Sequence, residues 1–183
     1  GDHLKSASDL CLPLVGVGLL YKFGYFEQRI DGSGEQVPEY VENNFSQLPM
    51  RPVFTEGDSR LLIHLDLPGR ALKAQVWQVS VGAVSLYLLD TDVEENSQRD
   101  RYITSKLYDS STRERIEQEI LLGIGGVRML RALGVDPSVY HLNEGHSSFL
   151  LVEQLRVLMA ERNLSFDTAK EIVRSRSVFT THT

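Results

Sequence analysis

The chain has little of what several protein classes need: one cysteine, no excess of basic charge and no long apolar run. Cys11 is the single cysteine, which excludes a disulfide within the chain and is typical of a reducing compartment. No apolar stretch approaches the roughly 18 residues of a transmembrane helix, and no basic segment followed by an apolar one opens the chain, as in a signal peptide. The sequence therefore predicts a cytoplasmic protein that does not bind a membrane.

The charge also argues against some partners. The 183 residues include 19 Lys and Arg against 25 Asp and Glu, which gives a formal net charge of −6. Binding to nucleic acid or to an anionic membrane surface requires a basic face, so neither partner is expected. With 42% hydrophobic and 24% charged residues, the composition is that of a globular domain with one sizeable core.

The two ends of the chain predict that it is a piece of a longer polypeptide. The chain begins at Gly1 without a methionine and enters a helical pattern at once, and it ends within the strand-like run VFTTHT. Domains usually end in polar tails that tolerate change. We expect residues 1–183 to form a single fragment, without internal repeats.

The first half of the sequence predicts a short helix followed by strands. Asp2 is expected to cap the helix HLKSASDL, and LPLVGVGLLY has the pattern of a strand buried on both faces. Residues 51–93 form an embedded β-rich portion with alternating apolar and polar positions. The polar residues 94–111 that follow are predicted to be a loop.

The second half, residues 112–183, is predicted to be an α/β portion. Its first element is a long helix that begins at Ser111 or Thr112 and ends at Gly134, because apolar residues recur at intervals of three and four. A strand, two amphipathic helices and a last strand follow, an order typical of a doubly wound sheet with helical crossovers. Three glycines inside the long helix lower its helix propensity and are expected to allow close packing: Gly123, Gly125 and Gly126.

Polar residues follow three of the predicted strands, at the ends where open α/β sheets bind ligands. These groups are Asp90-Thr91-Asp92, Asn143-Glu144-Gly145-His146 and Thr180-Thr181-His182-Thr183. Each has a purely structural alternative, since such residues also cap helices, form turns or lie in solvated tails. Carboxylates, amides and imidazoles are equally suited to sugar hydroxyls, so the residues alone leave both interpretations open.

Metal and dinucleotide sites are not expected. His141, His146 and His182 lack a paired ligand spacing such as H-x-x-x-H. The Gly16-Val17-Gly18 stretch is followed by LLYKF and not by a third glycine that opens a helix, so the dinucleotide-binding fingerprint is incomplete.

Several stretches, taken together, resemble the α-glucan phosphorylases, the family of glycogen, starch and maltodextrin phosphorylases. They are, in order, GDHLKSASDL with LPLVGVGLLY and FGYFEQRID, then LYLLDTDVEEN, RIEQEILLGIGGVRMLRALG, VYHLNEGHSSFLL and VFTTHT. The resemblance covers nearly the whole chain and is greatest to the compact bacterial and archaeal branch of the family.

The resemblance implies a fold and an activity. The chain would be a partial Rossmann-like N-terminal domain of a two-domain, GT-B type glycosyltransferase. The whole protein would transfer the terminal glucosyl unit of an α-1,4-glucan to orthophosphate and release glucose 1-phosphate. Its cofactor would be pyridoxal 5′-phosphate, bound through a lysine of a C-terminal domain that this chain lacks. The chain alone is therefore expected to be inactive, and exposed sheet edges predict a homo-oligomer.

The resemblance also assigns substrate-binding roles to five residues. His182, in FTTHT, matches the histidine that contacts the glucosyl residue in the catalytic subsite, and Asp92, in LLDTD, matches an aspartate of a mobile loop over that subsite. Asn143, Glu144 and His146, in LNEGH, match the polar turn that lines the glucan side of the cleft. No catalytic residue, cofactor-binding residue or metal ligand is expected within the chain.

Two other functions stay open as alternatives. One is a stand-alone sugar-binding or assembly module that uses the same half-fold. The weaker one is a relative of the nucleotide-sugar glucan synthases, which share the two-domain architecture. The stretches YKFGYFEQRID and QEILLGIGG favour a phosphorylase over a synthase.

Overall fold

A computed structural model describes residues 1–107 and 111–182 of the chain. The fold is of the mixed α/β class, as the sequence predicts. The strands are β1 Val15–Leu19, β2 Glu27–Ile30, β3 Gln36–Glu39, β4 Met50–Pro52, β5 Leu62–Leu67, β6 Arg70–Val81, β7 Val84–Asp90, β8 Tyr140–Asn143 and β9 Ser177–Thr180. The helices are α1 Asp2–Asp9, α2 Gln98–Arg101, α3 Thr112–Ile120, α4 Gly126–Ala132, α5 Phe149–Arg162 and α6 Phe166–Ser175.

Some predicted boundaries are wrong. Asp2 does not cap α1, because it is the first helical residue and Gly1 takes the cap position without a side-chain bond. The predicted loop 94–111 contains the short helix α2, which Ser97 caps by accepting a hydrogen bond from the amide of Asp100 at 3.2 Å. Residues 108–110 of that predicted loop lie outside the described residues, as does Thr183 of the predicted polar group after the last strand.

The main sheet has the strand order β1-β7-β6-β4, and β5 also pairs with β6. Of the strand pairs described in this sheet, β1–β7 is parallel and the other three are antiparallel. Strand β6 is twelve residues long, so its first half pairs with β5 and its second half with β4. The prediction that β1 is buried on both faces is wrong within the described part of the chain, since β1 is an edge strand and Val15 is 37% exposed.

The principal core lies between this sheet and the helix layer above it. Its fully buried members include Leu65, Leu72, Leu89, Leu121 and Met129. The helix layer is one continuous run, α3 to α4, joined by a π-helical segment over Leu121–Gly125. A tight approach to α5 explains one of its glycines, because a Cβ added at Gly123 would lie 2.6 Å from the backbone nitrogen of Leu150.

A separate pair of parallel strands, β8 and β9, positions the candidate site. The crossover between them runs through α5 and α6, as the predicted α-β-α-α-β order requires. Leu142 of β8 is 1% exposed and packs in a cluster with Val127 and Leu150. The register aligns Asn143 with Thr180, so the carboxyl ends of both strands lie side by side.

A buried ion pair links the helix layer to the main sheet. Glu153 of α5 is 2% exposed and accepts hydrogen bonds from Arg128 and Arg156, while Arg128 also donates to the carbonyl of His64 in β5 at 2.6 Å. Burial opposes ionisation, but the bonds from Arg156 and Arg128 outweigh it and lower the pKa of Glu153 below its ordinary value of 4.5. The carboxylate is therefore charged and paired at neutral pH.

Candidate functional site

The carboxyl ends of β8 and β9 bring three of the predicted site residues together. Asn143 is the last residue of β8, Glu144 follows it, and His182 lies two residues beyond β9. The backbone amide of Glu144 donates to the carbonyl of Thr180 at 2.9 Å, which ties the two strand exits to each other. We call Asn143, Glu144 and His182 the strand-end cluster.

Both the side chain and the backbone of His182 are held within this cluster. Nε2 of the imidazole lies 2.6 Å from Oδ1 of Asn143. The backbone amide of His182 donates to Oε1 of Glu144. Two residues before Asn143 in β8, Nε2 of His141 lies 2.6 Å from Oγ1 of Thr180, so two histidines contact the exits of this small sheet.

Glu144 has a backbone conformation that non-glycine residues rarely adopt. Its φ is 63° and its ψ is −172°, within a region that is almost restricted to glycine. Such a conformation costs about 1–3 kcal/mol and persists where surrounding bonds impose it. Here the Glu144 amide and carboxylate both bond to the segment that leaves β9, and these bonds maintain the conformation.

His146 occupies the 3₁₀ turn Gly145–Ser147 that precedes α5. Its Nδ1 lies 3.9 Å from Oε1 of Glu119 in α3, and its side chain is 47% exposed. The turn itself is closed by Ser148, whose hydroxyl donates to the carbonyl of Gly145 at 2.6 Å. The imidazole of His146 therefore faces α3 at the edge of the cluster.

Asp92 has a different set of neighbours from the strand-end cluster. Its Oδ1 accepts a hydrogen bond from Nε of Arg101 at 2.6 Å, and this bond raises the pKa of the Arg101 guanidinium. Asp92 lines a cavity of about 370 Å³ to which no residue of the strand-end cluster contributes. The cavity is lined by Lys22, Phe45, Asp90, Asp92, Asn96, Gln98, Arg101, Tyr102, Thr104 and Ser105.

The carboxylate of Asp90, which also lines that cavity, stabilises the fold. Asp90 is 3% exposed and accepts from the side chains of Gln75 at 2.7 Å, Trp77 at 3.2 Å and Thr104 at 3.3 Å, and from the amide of Asp92 at 2.9 Å. Four donors satisfy a buried carboxylate without a ligand. Asp90 therefore has the structural role that the sequence left open as an alternative to ligand binding.

The cavity is the feature that sequence reasoning missed. Its wall over residues 96–105 falls within the predicted loop, where no apolar periodicity marks structure. One local signal was available, because Ser97 followed three residues later by Asp100 is a helix-start pattern. Asn96 gave no such signal, yet it is 8% exposed and bonds to both backbone groups of Lys73.

Residues 1–107 and 111–182 hold no group of three or more His, Cys, Asp or Glu side chains that is placed to bind a metal ion. Over the same residues, every helix is too short or too polar to cross a membrane.

The amino-acid sequence of this α/β chain is similar to those of several known proteins. No protein-family model matches the chain. The chain is 50% identical over its full 183 residues to the maltodextrin phosphorylase of Thermococcus litoralis, and it covers 22% of that protein. It is 46% identical to the glycogen phosphorylase of Mycobacterium tuberculosis and 40% identical to that of Aquifex aeolicus, covering 22% and 26% of them.

The predicted resemblance to the α-glucan phosphorylases is therefore confirmed over the whole chain. The chain spans between a fifth and a third of the length of these relatives. Among solved structures, the catalytic domain of starch synthase IV from Arabidopsis thaliana, bound to ADP and acarbose, matches with a TM-score of 0.45 and 11% identity. That match covers 71% of this chain and 22% of the other, and so low a score defines no fold.

Proposed function

We propose that the chain is part of an α-glucan phosphorylase, which transfers the terminal glucosyl unit of an α-1,4-glucan to orthophosphate and releases glucose 1-phosphate. The observation that carries this proposal is the identity of 40–50% with maltodextrin and glycogen phosphorylases over the entire chain. Because the chain covers only 22% of the first of these relatives, the rest of the catalytic apparatus would come from the remainder of a longer polypeptide. The 183 residues alone would then be inactive.

The proposed fold is one part of a GT-B type glycosyltransferase, in its Rossmann-like N-terminal domain. The parallel pair β8 and β9, joined through α5 and α6, supports this assignment, because helical crossovers between parallel strands build such domains. Ligands of these domains bind beyond the carboxyl ends of the strands. The strand-end cluster occupies that position.

The glucan would be bound by the polar groups at these strand ends. In the proposed site, His182, Asn143 and Glu144 act together, and His146 lies beside them on the turn into α5. Imidazole, amide and carboxylate groups can hydrogen-bond the hydroxyls of a glucosyl residue, as donors or as acceptors. Asp92 would contact the glucan from the cavity that it lines together with its partner Arg101.

Pyridoxal 5′-phosphate is the cofactor that this function implies, and three of the five lysines, Lys22, Lys106 and Lys170, do not have surroundings that suit a Schiff base. A lysine that forms a Schiff base needs a lowered pKa, which burial or a neighbouring cation provides. The hydrogen bond from Lys22 to Glu42 instead raises the pKa of Lys22. Lys106 lies over the ring of Tyr40, and Lys170 faces Asp167 at 4.0 Å. As the resemblance implies, the cofactor lysine would belong to the rest of the polypeptide.

The protein is further proposed to be cytoplasmic and to form a homo-oligomer. Exposed apolar side chains on an edge strand of the main sheet and on the β8–β9 pair support a homo-oligomer, since Val15 of β1 is 37% exposed and Phe179 of β9 is 55% exposed. Light scattering on the purified chain tests this part of the proposal. A monodisperse monomer would contradict it.

The activity is tested on the whole natural polypeptide, purified from its source, with maltoheptaose and orthophosphate as substrates. We expect release of glucose 1-phosphate, and we expect His182→Ala to reduce it at least tenfold. The matched control is His64→Ala, because the His64 side chain is exposed on β5, outside the strand-end cluster. Absence of phosphorolysis by the wild-type polypeptide would overturn the proposal, as would phosphorolysis by the 183 residues alone.

A further inference from the structure

We propose that Asn143 and Glu144 are positioning residues that hold the ring and the backbone of His182, so that Nδ1 of the imidazole is presented to the ligand as a hydrogen-bond acceptor. The identity of that ligand as a sugar hydroxyl rests on the proposed function. The positioning itself rests only on the contacts within the strand-end cluster.

The contact with Asn143 determines which ring nitrogen carries the proton. Oδ1 of an asparagine amide can accept hydrogen bonds but cannot donate them. At 2.6 Å from this oxygen, Nε2 of His182 must be the donor and must carry hydrogen. In the neutral ring the lone pair is then on Nδ1, which becomes an acceptor for a hydroxyl donor.

The contact with Glu144 holds the other end of the same residue. Its carboxylate accepts from the backbone amide of His182, while its own amide donates to the carbonyl of Thr180 at 2.9 Å. The segment from Thr180 to His182 is therefore bonded at both ends to one residue of the neighbouring strand exit. With the backbone held in this way, the bond to Asn143 leaves the ring a narrow range of orientations.

The backbone conformation of Glu144 indicates that its side chain positions His182 and does not merely complete a turn. A glycine would adopt φ 63° and ψ −172° without strain, and glycine is the residue that this conformation favours. Glycine, however, has no carboxylate with which to hold His182. The presence of glutamate in a conformation that suits glycine is explained if the carboxylate has a task that outweighs the strain.

The proposal is tested by nitrogen NMR of the 183-residue chain labelled at its histidines, at about pH 8.5, two units above the ordinary histidine pKa. We expect His182 to show a protonated Nε2 with a directly observed, slowly exchanging proton, and an unprotonated Nδ1. Asn143→Asp keeps an oxygen acceptor of the same size and should preserve this pattern. Asn143→Leu keeps the volume but removes the acceptor, and it should abolish the observed Nε2 proton.

Controls separate this effect from a loss of structure. His141 provides an internal reference, because its Nε2 contacts Thr180 and its signal should be the same in all variants. Asn43→Ala, which removes an exposed asparagine bonded to the carbonyl of Tyr21, should leave the signal of His182 unaltered. A protonated Nδ1 in the wild-type chain, or an unchanged His182 spectrum in folded Asn143→Leu, would overturn the proposal.

A kinetic readout distinguishes this inference from the proposed function. In the whole polypeptide, Asn143→Leu should lower kcat/KM for glucan about tenfold, and Asn143→Asp should restore most of that loss. If the polypeptide shows no phosphorolysis but His182 has the expected NMR pattern, the proposed function fails and the positioning stands. If the polypeptide catalyses phosphorolysis and Asn143→Leu is as active as the wild type, the positioning proposal is wrong and the proposed function stands.

Discussion

Gly123 lies where the π-helical segment meets the start of α5, and replacing it with alanine tests the packing that supports the candidate site. The added Cβ would lie 2.6 Å from the backbone nitrogen of Leu150 and 2.8 Å from Cβ of Phe149. Ordinary contact begins at 3.4 Å, so α5 must move by about 0.8 Å, the difference between 3.4 and 2.6 Å. Because the atom in the way is backbone, no side-chain rotation can relieve the overlap.

The expected cost follows from two opposing terms. Overpacking of this kind costs up to about 3 kcal/mol, and exchanging glycine for alanine within a helix returns about 1 kcal/mol. We therefore expect Gly123→Ala to lower the free energy of unfolding by about 2 kcal/mol. For a domain of this size, that corresponds to a fall in Tm of about 4–8 °C.

Thermal unfolding followed by circular dichroism is the assay, with Gly125→Ala as the matched control. The three atoms nearest to a Cβ at Gly125 would be side-chain methyl groups, those of Leu121 and Leu89 at 3.3 Å and that of Leu65 at 3.5 Å, so the overlap is smaller and involves no backbone atom. This variant should therefore remain within about 0.5 kcal/mol of the wild type. A Tm for Gly123→Ala equal to or above that of Gly125→Ala would refute the reasoning.

Three further predictions concern side chains that hold the fold together. Glu153→Gln should lower the free energy of unfolding at neutral pH by about 1.5–3 kcal/mol in urea unfolding. Because the pKa of Glu153 is lowered in the folded state, the difference between variant and wild type should be present above pH 4.5 and disappear as the pH falls through the folded-state pKa. A difference independent of pH would contradict this. Asn96→Ala should cost about 1–3 kcal/mol by leaving backbone groups of Lys73 and Thr91 unpaired in urea unfolding, and a change below 0.5 kcal/mol would count against that network. Leu142→Ala should cost about 2–5 kcal/mol and increase amide exchange in β8, whereas unchanged exchange would show that the strand does not depend on this contact.

Some of these features could be predicted because they depend on neighbours in the sequence. The long helix was predicted from Ser111 or Thr112 to Gly134, and Ser111 does accept the capping bond from the amide of Glu114 at 3.2 Å. Gly134 has a φ of 70° at the far end, as a glycine after a helix should. The periodicity and the caps of this helix are local properties, so the sequence was enough to find them.

The location of β1 could not be predicted from its composition. An apolar strand such as VGVGL has the same pattern whether it lies in the middle of a sheet or at its edge. Here its single strand partner within residues 1–107 and 111–182 is β7, which leaves the other edge unpaired. Burial depends on how many strands assemble, and that number is a property of the whole fold.

The candidate site shows the same division. Its residue types and its position after predicted strands were visible in the sequence, and so was the resemblance to phosphorylases. The bonds from Asn143 and Glu144 to His182 join residues 38 and 39 positions apart, and only the parallel register of β8 and β9 brings them within reach. The separate surroundings of Asp92, paired with Arg101, were likewise invisible in the sequence.

The sequence by itself determined the class of fold, the two ends of the long helix at Ser111 and Gly134, and the family that the chain resembles, because these depend on composition, local hydrogen bonding and the order of short motifs. The tertiary structure alone decided which polar groups meet, which of them are satisfied internally, and why Glu144 takes a backbone conformation suited to glycine. Those outcomes require contacts between segments distant in the chain. Such contacts form only when the strands pair and the helices pack over them.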